Sequence, residues 1–191
     1  PVMAFLWRQL LRLAPGQAPF LVMQALLYWG GALLLADGLR RHQRPRAALA
    51  VIVIAAMPIA FGQIGSVIKD SLLTACCLAA VGLGTQGSRP ARLAAAAILV
   101  VAAATRFNAV FAAAPLLVWL APPSWAAGRL RHGGLVVLAI ALLAISTWLI
   151  DQVALAPVRT HPMISLVGFD LAGIIDHGGE VAIPPMSRDT S

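Results

Sequence analysis

Charged residues are scarce in this chain. They make up 11% of its 191 residues, whereas hydrophobic residues make up 60% and the mean hydropathy is +0.87. A soluble domain carries about a quarter charged residues, which it needs to cover a surface that faces water. A chain so poor in charge needs lipid as the solvent for much of its surface, which excludes an ordinary soluble domain.

Cysteine is nearly absent, and acidic residues are few. Cys76 and Cys77 are neighbours in an apolar run, so they do not form an ordinary disulfide and do not reveal the redox compartment. The net charge of +7 comes from 14 Lys and Arg against seven Asp and Glu. The arginines flank long apolar runs and do not gather on one face with aromatic residues. This pattern is typical of membrane topology and argues against nucleic-acid binding.

Long charge-free runs are what the chain has in abundance. Five of six such runs approach the roughly 20 residues that a helix needs to cross the hydrocarbon core, whereas 93–105 is too short. Residues 93–120 therefore form either one long helix with Arg106 near its middle or two short helices that meet at a turn around Arg106. Two helices are preferred, because they keep Arg106 out of the membrane centre and gather most arginines on one side.

The sequence thus predicts an all-α fold, in which residues 1–150 form a polytopic transmembrane helix bundle with about six crossings or near-crossings. The predicted helices are 19–38, 47–62, 68–84, 92–105, 107–121 and 133–150. Residues 3–13 alternate apolar side chains with Arg8, Gln9 and Arg12, which predicts an amphipathic helix lying at the membrane interface. Residues 151–191 hold five of the seven acidic residues and predict the start of a polar extracytoplasmic segment.

The arginine-rich loops predict an orientation. One side of the bundle collects eight arginines, which are Arg40, Arg41, Arg44, Arg46, Arg89, Arg92, Arg129 and Arg131. Because positively charged loops stay in the cytoplasm, the 3–13 helix, the Lys69-Asp70 turn, the Arg106 turn and the 151–191 tail are predicted on the outer face of a bacterial plasma membrane. The sequence predicts neither the oligomeric state nor a partner beyond the bilayer.

Polar residues at membrane depth are expensive, so each is a functional candidate. Lys69 and Asp70 open the third predicted crossing: Lys69 either reaches the interface or binds an anionic head group, and Asp70 either favours the helix N-terminus or orients that group. Spacing of four places Asp70 on one face with Ser66 and Thr74.

The turn around Arg106 is the second candidate. Arg106 either reaches lipid phosphates or binds a phosphate with its planar guanidinium as part of a site. Asn108 either caps the following helix or adds donors to the same anion. The four candidate substrate-binding residues are therefore Lys69, Asp70, Arg106 and Asn108.

The tail offers weaker candidates. Asp170 and His177 are possible site residues, and Asp176, His177 and Glu180 make a sparse metal-like set for which a solvated loop is the better interpretation. There is no glycine-rich phosphate loop, zinc signature or nucleophile elbow. No cofactor or metal ligand is therefore predicted, although a divalent metal is left open.

Four short segments resemble GT-C-type membrane glycosyltransferases, in the branch related to family 39 mannosyltransferases and polyprenyl-phosphate-sugar transferases. Residues 1–13 are similar to their external helix, 65–70 to a Lys-Asp element that opens a short helix, 105–108 to an Arg-x-Asn turn, and 169–174 to the start of their external portion. An aromatic residue often precedes the Lys-Asp element in that family, whereas Val67-Ile68 stands here.

The resemblance implies transfer of a hexose or pentose from a polyprenyl-phosphate carrier at the outer membrane face, with Lys69 and Arg106 on the phosphate. It also implies that the general-base carboxylate precedes Pro1, so that the chain is a fragment. Two other functions fit the residues: a transporter or flippase of an anionic lipid or solute, and a non-catalytic membrane component.

Overall fold

All the regular structure in the described part of the chain is helical. The computed structural model describes residues 2–106, 108–121, 129–150 and 152, and the all-α prediction is confirmed for these residues. Within these described residues eight helices follow one another: α1 (Val2–Leu10), α2 (Ala18–Arg41), α3 (Pro45–Ala55), α4 (Pro58–Ile64), α5 (Lys69–Gly84), α6 (Arg89–Thr105), α7 (Ala109–Leu120) and α8 (Arg129–Leu149).

Prolines mark the starts of four helices. α2, α3, α4 and α6 each have a proline in one of their first two positions, where its missing N–H costs no helical hydrogen bond. The turn before α6 contains Gly87 at a positive φ of 72°, and the Ser88 hydroxyl then accepts a hydrogen bond from the Ala91 N–H. Local chemistry thus explains where these helices begin.

The predicted crossing 47–62 is not one helix. It divides into α3 and α4, which are bent by 59° at the Met57-Pro58 step. Met57 is extended, with φ −61° and ψ 141°, as the residue before a proline prefers. Pro58 cannot donate to a helical carbonyl four residues back, so the prediction of a continuous helix is wrong here.

The turn predicted at Arg106 is present. α6 ends at Thr105, Arg106 is extended with φ −153° and ψ 139°, and α7 begins at Ala109. The other reading, one long helix through Arg106, is therefore wrong. The N-terminal helix also exists but is shorter than predicted: α1 ends at Leu10, although backbone hydrogen bonds continue the turn to Ala14.

The apolar face of α1 packs on protein. Met3, Leu6, Trp7 and Leu10 contact a cluster built around Phe20, Leu72, Cys76 and Ala102. Trp7 stacks on Phe20 with ring centroids 5.2 Å apart. The predicted helix along the membrane surface thus covers the start of α2 and α5, and its place at the interface stays a prediction.

Small residues let the central helices approach closely. A Cβ added at Gly31 of α2 would lie 2.5 Å from the backbone nitrogen of Ala79 in α5, so neither helix could stay where it is. Alanines fill the next interface, where Ala80 of α5 packs with Ala95 and Leu99 of α6. Close packing of small residues is the usual way in which membrane helices associate.

Two helices are long and apolar enough to cross a membrane. They are α2 and residues 131–149 of α8, and the bent pair α3–α4 makes a third if it counts as one span. α5, α6 and α7 have 16, 17 and 12 residues, fewer than the roughly 20 of a full span. The outward side chains are apolar, with Ile59 83% and Leu93 72% exposed. A membrane protein is indicated, but six crossings are not confirmed.

The helices sort the charged residues into two ends. Leu72 and Cys76 near the start of α5 pack on Ala102 near the end of α6, so these helices run in opposite directions. Arg89 and Arg92 therefore lie far from Arg106. The arginine end carries Arg40, Arg41, Arg44, Arg46, Arg89, Arg92 and Arg131. The opposite end, called the site end, carries Lys69, Asp70, Arg106 and Asn108, and α1 with Arg8 packs against the same end.

Candidate functional site

The first turn of α5 presents Lys69 and Asp70 at the site end. Ile68 precedes the helix in an extended conformation, and Asp70 is the acidic residue of the first turn, where a carboxylate is favourable. The Thr74 hydroxyl donates to the Asp70 carbonyl at 2.8 Å, inside the helix. Both Lys69 and Asp70 are exposed, so their charged groups are accessible to a ligand.

Arg106 reaches Asp70 across 36 residues of sequence. Its Nη1 donates to Asp70 Oδ1, and the two side chains are 48% and 53% exposed. This hydrogen bond, aided by the attraction of opposite charges, raises the pKa of the Arg106 guanidinium above its ordinary value. The pair joins the start of α5 to the end of α6, and it leaves Arg106 other N–H donors for a ligand.

A cavity of about 810 Å³ lies beside this ion pair, within the range of small-molecule sites. Lys69, Asp70 and Arg106 form its charged lining, and Thr105 and Thr147 add two hydroxyl groups. Its remaining walls are largely apolar and come from the end of α6, the start of α7 and the end of α8, with Val110, Phe111, Ile140, Ala144 and Trp148 among them. The arrangement can hold a molecule with an anionic group at one end and an apolar body at the other.

The structure brings together three of the four predicted residues. Asn108 is exposed at the start of α7, and it is not among the described residues that line the cavity. Its side chain makes no capping hydrogen bond to α7, so the helix-cap interpretation is wrong. The predicted addition of Asn108 to the anion site therefore lacks support from the geometry.

The sequence did not reveal a buried polar network around the residues that precede Lys69. Gln24 of α2 is 0% exposed, and its Nε2 donates to the carbonyls of Ile64 at 2.7 Å and Ser66 at 3.1 Å. The Ser71 hydroxyl donates to the Gln63 carbonyl at 2.6 Å. A glutamine inside a long apolar run costs free energy unless its amide is hydrogen-bonded. Its presence there is therefore the sequence signal that could have pointed to this network.

This network also corrects the predicted face of Ser66, Asp70 and Thr74. Ser66 precedes α5, and its hydroxyl lies 2.8 Å from the Gln63 carbonyl and 3.4 Å from the Ser71 hydroxyl. Helical spacing therefore does not apply to it. The network satisfies carbonyls between α4 and α5, which helps to hold the residues just before Lys69 in place.

The remaining candidates lie in the tail. Asp170, Asp176, His177 and Glu180 are outside the described residues. Within residues 2–106, 108–121, 129–150 and 152, no group of three His, Cys, Asp or Glu could hold a metal ion.

No family model matches the chain, and no curated protein or solved structure is significantly similar to it. What the site can do must therefore be judged from its own residues. These are two cations and one carboxylate at the polar rim of a largely apolar cavity, between helices whose outer surfaces are apolar.

Proposed function

We propose that the chain is the membrane part of a GT-C-type glycosyltransferase, and that the site-end cavity holds the phosphate of a polyprenyl-phosphate sugar donor. The observation that carries the proposal is the composition of this cavity. Lys69 and Arg106 stand at its polar rim, and apolar side chains line most of the rest. A polyprenyl-phosphate sugar has the matching distribution, with an anionic phosphate joined to a long hydrocarbon.

The charges at the rim suit a phosphate diester. Lys69 and Arg106 against Asp70 leave a net charge of +1, which one negative phosphate neutralises. Arg106 offers a planar set of donors that can hold two phosphate oxygens, whereas the Lys69 ammonium acts as a point charge. Asp70 restrains the guanidinium through its ion pair, so less freedom is lost when the phosphate binds.

The apolar walls suit a lipid carrier better than a soluble sugar nucleotide. Phe111 is 61% and Trp148 60% exposed, so the cavity continues onto outer surfaces of α7 and α8 that face lipid in this proposal. A prenyl chain can enter by this route from the bilayer without crossing water. A nucleotide would need polar partners for its base, and such partners are few among the described lining residues.

In the proposed reaction an acceptor hydroxyl attacks the anomeric carbon, and the bond from that carbon to the carrier's phosphate oxygen breaks. The acceptor proton passes to a carboxylate base, and the carrier phosphate departs with the bonding electron pair. Lys69 and Arg106 stabilise the charge that grows on the departing phosphate.

The membrane orientation belongs to the same proposal. The arginine end faces the cytoplasm by the positive-inside rule, and the site end faces outward. If α3 and α4 together count as one span beside α2 and α8, the three short near-crossings α5, α6 and α7 would bring the total to six. A cavity at the outer ends of short helices lies within the depth of the lipid head groups.

Replacement of Arg106 tests this function. In the full-length protein, Arg106→Ala should lower sugar transfer from a polyprenyl-phosphate donor about a hundredfold or more, the usual cost of removing one charge-stabilising donor. Arg106→Lys should recover part of the loss, because it keeps the charge without the bidentate geometry. Asn108→Ala is the matched control, since it changes an exposed neighbour outside the cavity lining.

Membrane abundance is measured for each variant, so that a folding defect is not mistaken for lost catalysis. Normal transfer by Arg106→Ala at normal abundance would contradict the role of Arg106 on the phosphate. Movement of the carrier lipid across the bilayer, without any sugar transfer by the intact protein, would replace the transferase with a flippase.

A further inference from the structure

A second cavity, here called the arginine-end groove, lies between α6, α7 and α8 at the opposite end of the bundle. It encloses about 360 Å³. Leucine, valine and alanine side chains form its walls, and Arg92 is the one charged residue among its described lining residues. The groove differs from the buried core in one respect: the half-buried Arg92 cation lies at the rim of an otherwise apolar space.

The groove is open along its side. Leu93 is 72%, Leu138 53% and Leu142 52% exposed, although all three line it. In a membrane these exposed leucines contact hydrocarbon, so the groove is accessible from the bilayer. Its walls fit a flexible hydrocarbon chain.

Arg92 has no counter-ion within the chain's middle section. The sequence from 71 to 150 contains no Asp or Glu at all. The one carboxylate that the described residues place at the arginine end, Asp37, is bound by Arg40 at 3.1 Å and Arg41 at 2.5 Å. An anion that neutralises Arg92 must therefore come from outside this section of the chain.

Two further arginines stand next to the rim. Arg89 is one turn before Leu93 in α6, and Arg131 is one turn before Leu135 in α8, so each shares a helix face with a residue that lines the groove. A guanidinium group at the rim of an apolar groove is complementary to a phosphate above an acyl chain.

We infer that the arginine-end groove binds one anionic phospholipid, with an acyl chain between α6, α7 and α8 and the phosphate on Arg92. The inference does not depend on the proposed transferase function, because it uses other residues at the other end of the bundle.

Native mass spectrometry of the detergent-solubilised full chain tests the site, with phosphatidylglycerol and phosphatidylcholine as the probe lipids. We expect one phosphatidylglycerol to bind more tightly than phosphatidylcholine, and Arg92→Gln to weaken that lipid about fivefold, the usual contribution of one arginine at an anionic membrane surface. Arg44→Gln is the matched control: it removes an equal charge at the same end, away from the groove, and should leave this affinity unchanged.

A second variant tests the acyl-chain part. Ala96→Phe places a ring in the groove and should weaken both lipids, while the arginines are intact. Equal binding of the two lipids by the intact chain, or equal loss with Arg92→Gln and Arg44→Gln, would overturn the inference and leave only a diffuse basic surface. Displacement of the lipid by millimolar inorganic phosphate would show a free-anion site and would overturn it as well.

Discussion

The two ends of the bundle use charge in different ways. At the arginine end, Asp37 pairs with Arg40 and Arg41, which are three and four residues away in the same helix, and the arginine side chains are 75% and 63% exposed. At the site end, Asp70 pairs with Arg106 across 36 residues and two helices. The ion pairs at the arginine end form within a single helix, so they need no contact between helices. The ion pair at the site end forms only because two helices pack together, and it borders a cavity.

The glutamines near the two ends also differ, in how deeply they are buried. Gln86 near the arginine end donates to the Leu34 carbonyl at 2.9 Å and is half-buried, whereas Gln24 near the site end is fully buried and serves two carbonyls. Buried networks cost more to break than exposed ones, because the groups that remain have no water to bond. The site end is therefore held by polar contacts that lie deeper in the fold than those of the arginine end.

Replacement of Gln24 should cause the largest loss of stability. Gln24→Ala removes the buried donor to the Ile64 carbonyl, at a cost of about 1–3 kcal/mol, whereas the Ser66 carbonyl still accepts from the Ile68 N–H. Thermal unfolding in detergent should show this loss, with a much smaller one for Gln86→Ala. Gln63→Ala is the control, since its exposed side chain is replaced and its carbonyl stays in the network. Equal losses for Gln24→Ala and Gln86→Ala would remove the contrast between the ends.

A smaller effect should come from Asp70. Asp70→Asn removes one negative charge beside Arg106 and raises the net charge of the cavity rim from +1 to +2. Binding of a polyprenyl phosphate should then tighten by about fivefold at most, the scale of an exposed ion pair. Isothermal titration calorimetry of the protein in nanodiscs measures this affinity. Weaker binding would mean that the hold on Arg106 matters more than the added charge.

The smallest effect should come from the same change at the arginine end. Asp37→Asn breaks two contacts within one exposed helix turn, which contribute little and are screened by salt. Its unfolding temperature and its affinity for a polyprenyl phosphate should match those of the unchanged protein. A clear loss of phosphate affinity with Asp37→Asn would show that the two ends are coupled, and would contradict their separation here.

Much of the helix pattern could be predicted from charge-free runs, because a span must exclude charge over about 20 residues. Proline is where this reasoning failed. Pro58 ends one helix and starts the next with a 59° bend, whereas Pro115 lies inside α7 without ending it. Apolar runs tolerate proline when neighbouring helices satisfy the freed carbonyl, and the sequence around each proline does not reveal those neighbours.

The charged residues of the candidate site could be predicted from the sequence, but their contacts with one another could not. Lys69, Asp70 and Arg106 attract notice as charges next to apolar runs, but nothing in their spacing says that Arg106 contacts Asp70. Phe111 and Trp148 are ordinary lipid-facing aromatics in the sequence, and they become cavity walls because α7 and α8 place them beside the end of α6.

Composition and the order of charges were enough to predict a helical membrane fold, now seen as helices over the described residues, with most arginines between its helices gathered away from Lys69 and Arg106, because the cost of charge in hydrocarbon acts on composition and order alone. Three features depend on the packing of distant helices: Arg106 contacts Asp70, Gln24 donates to the Ile64 and Ser66 carbonyls, and an apolar cavity adjoins the ion pair. Such contacts join residues about 36 to 42 positions apart. They depend on how closely glycines and alanines let the helices pack, which no local pattern specifies.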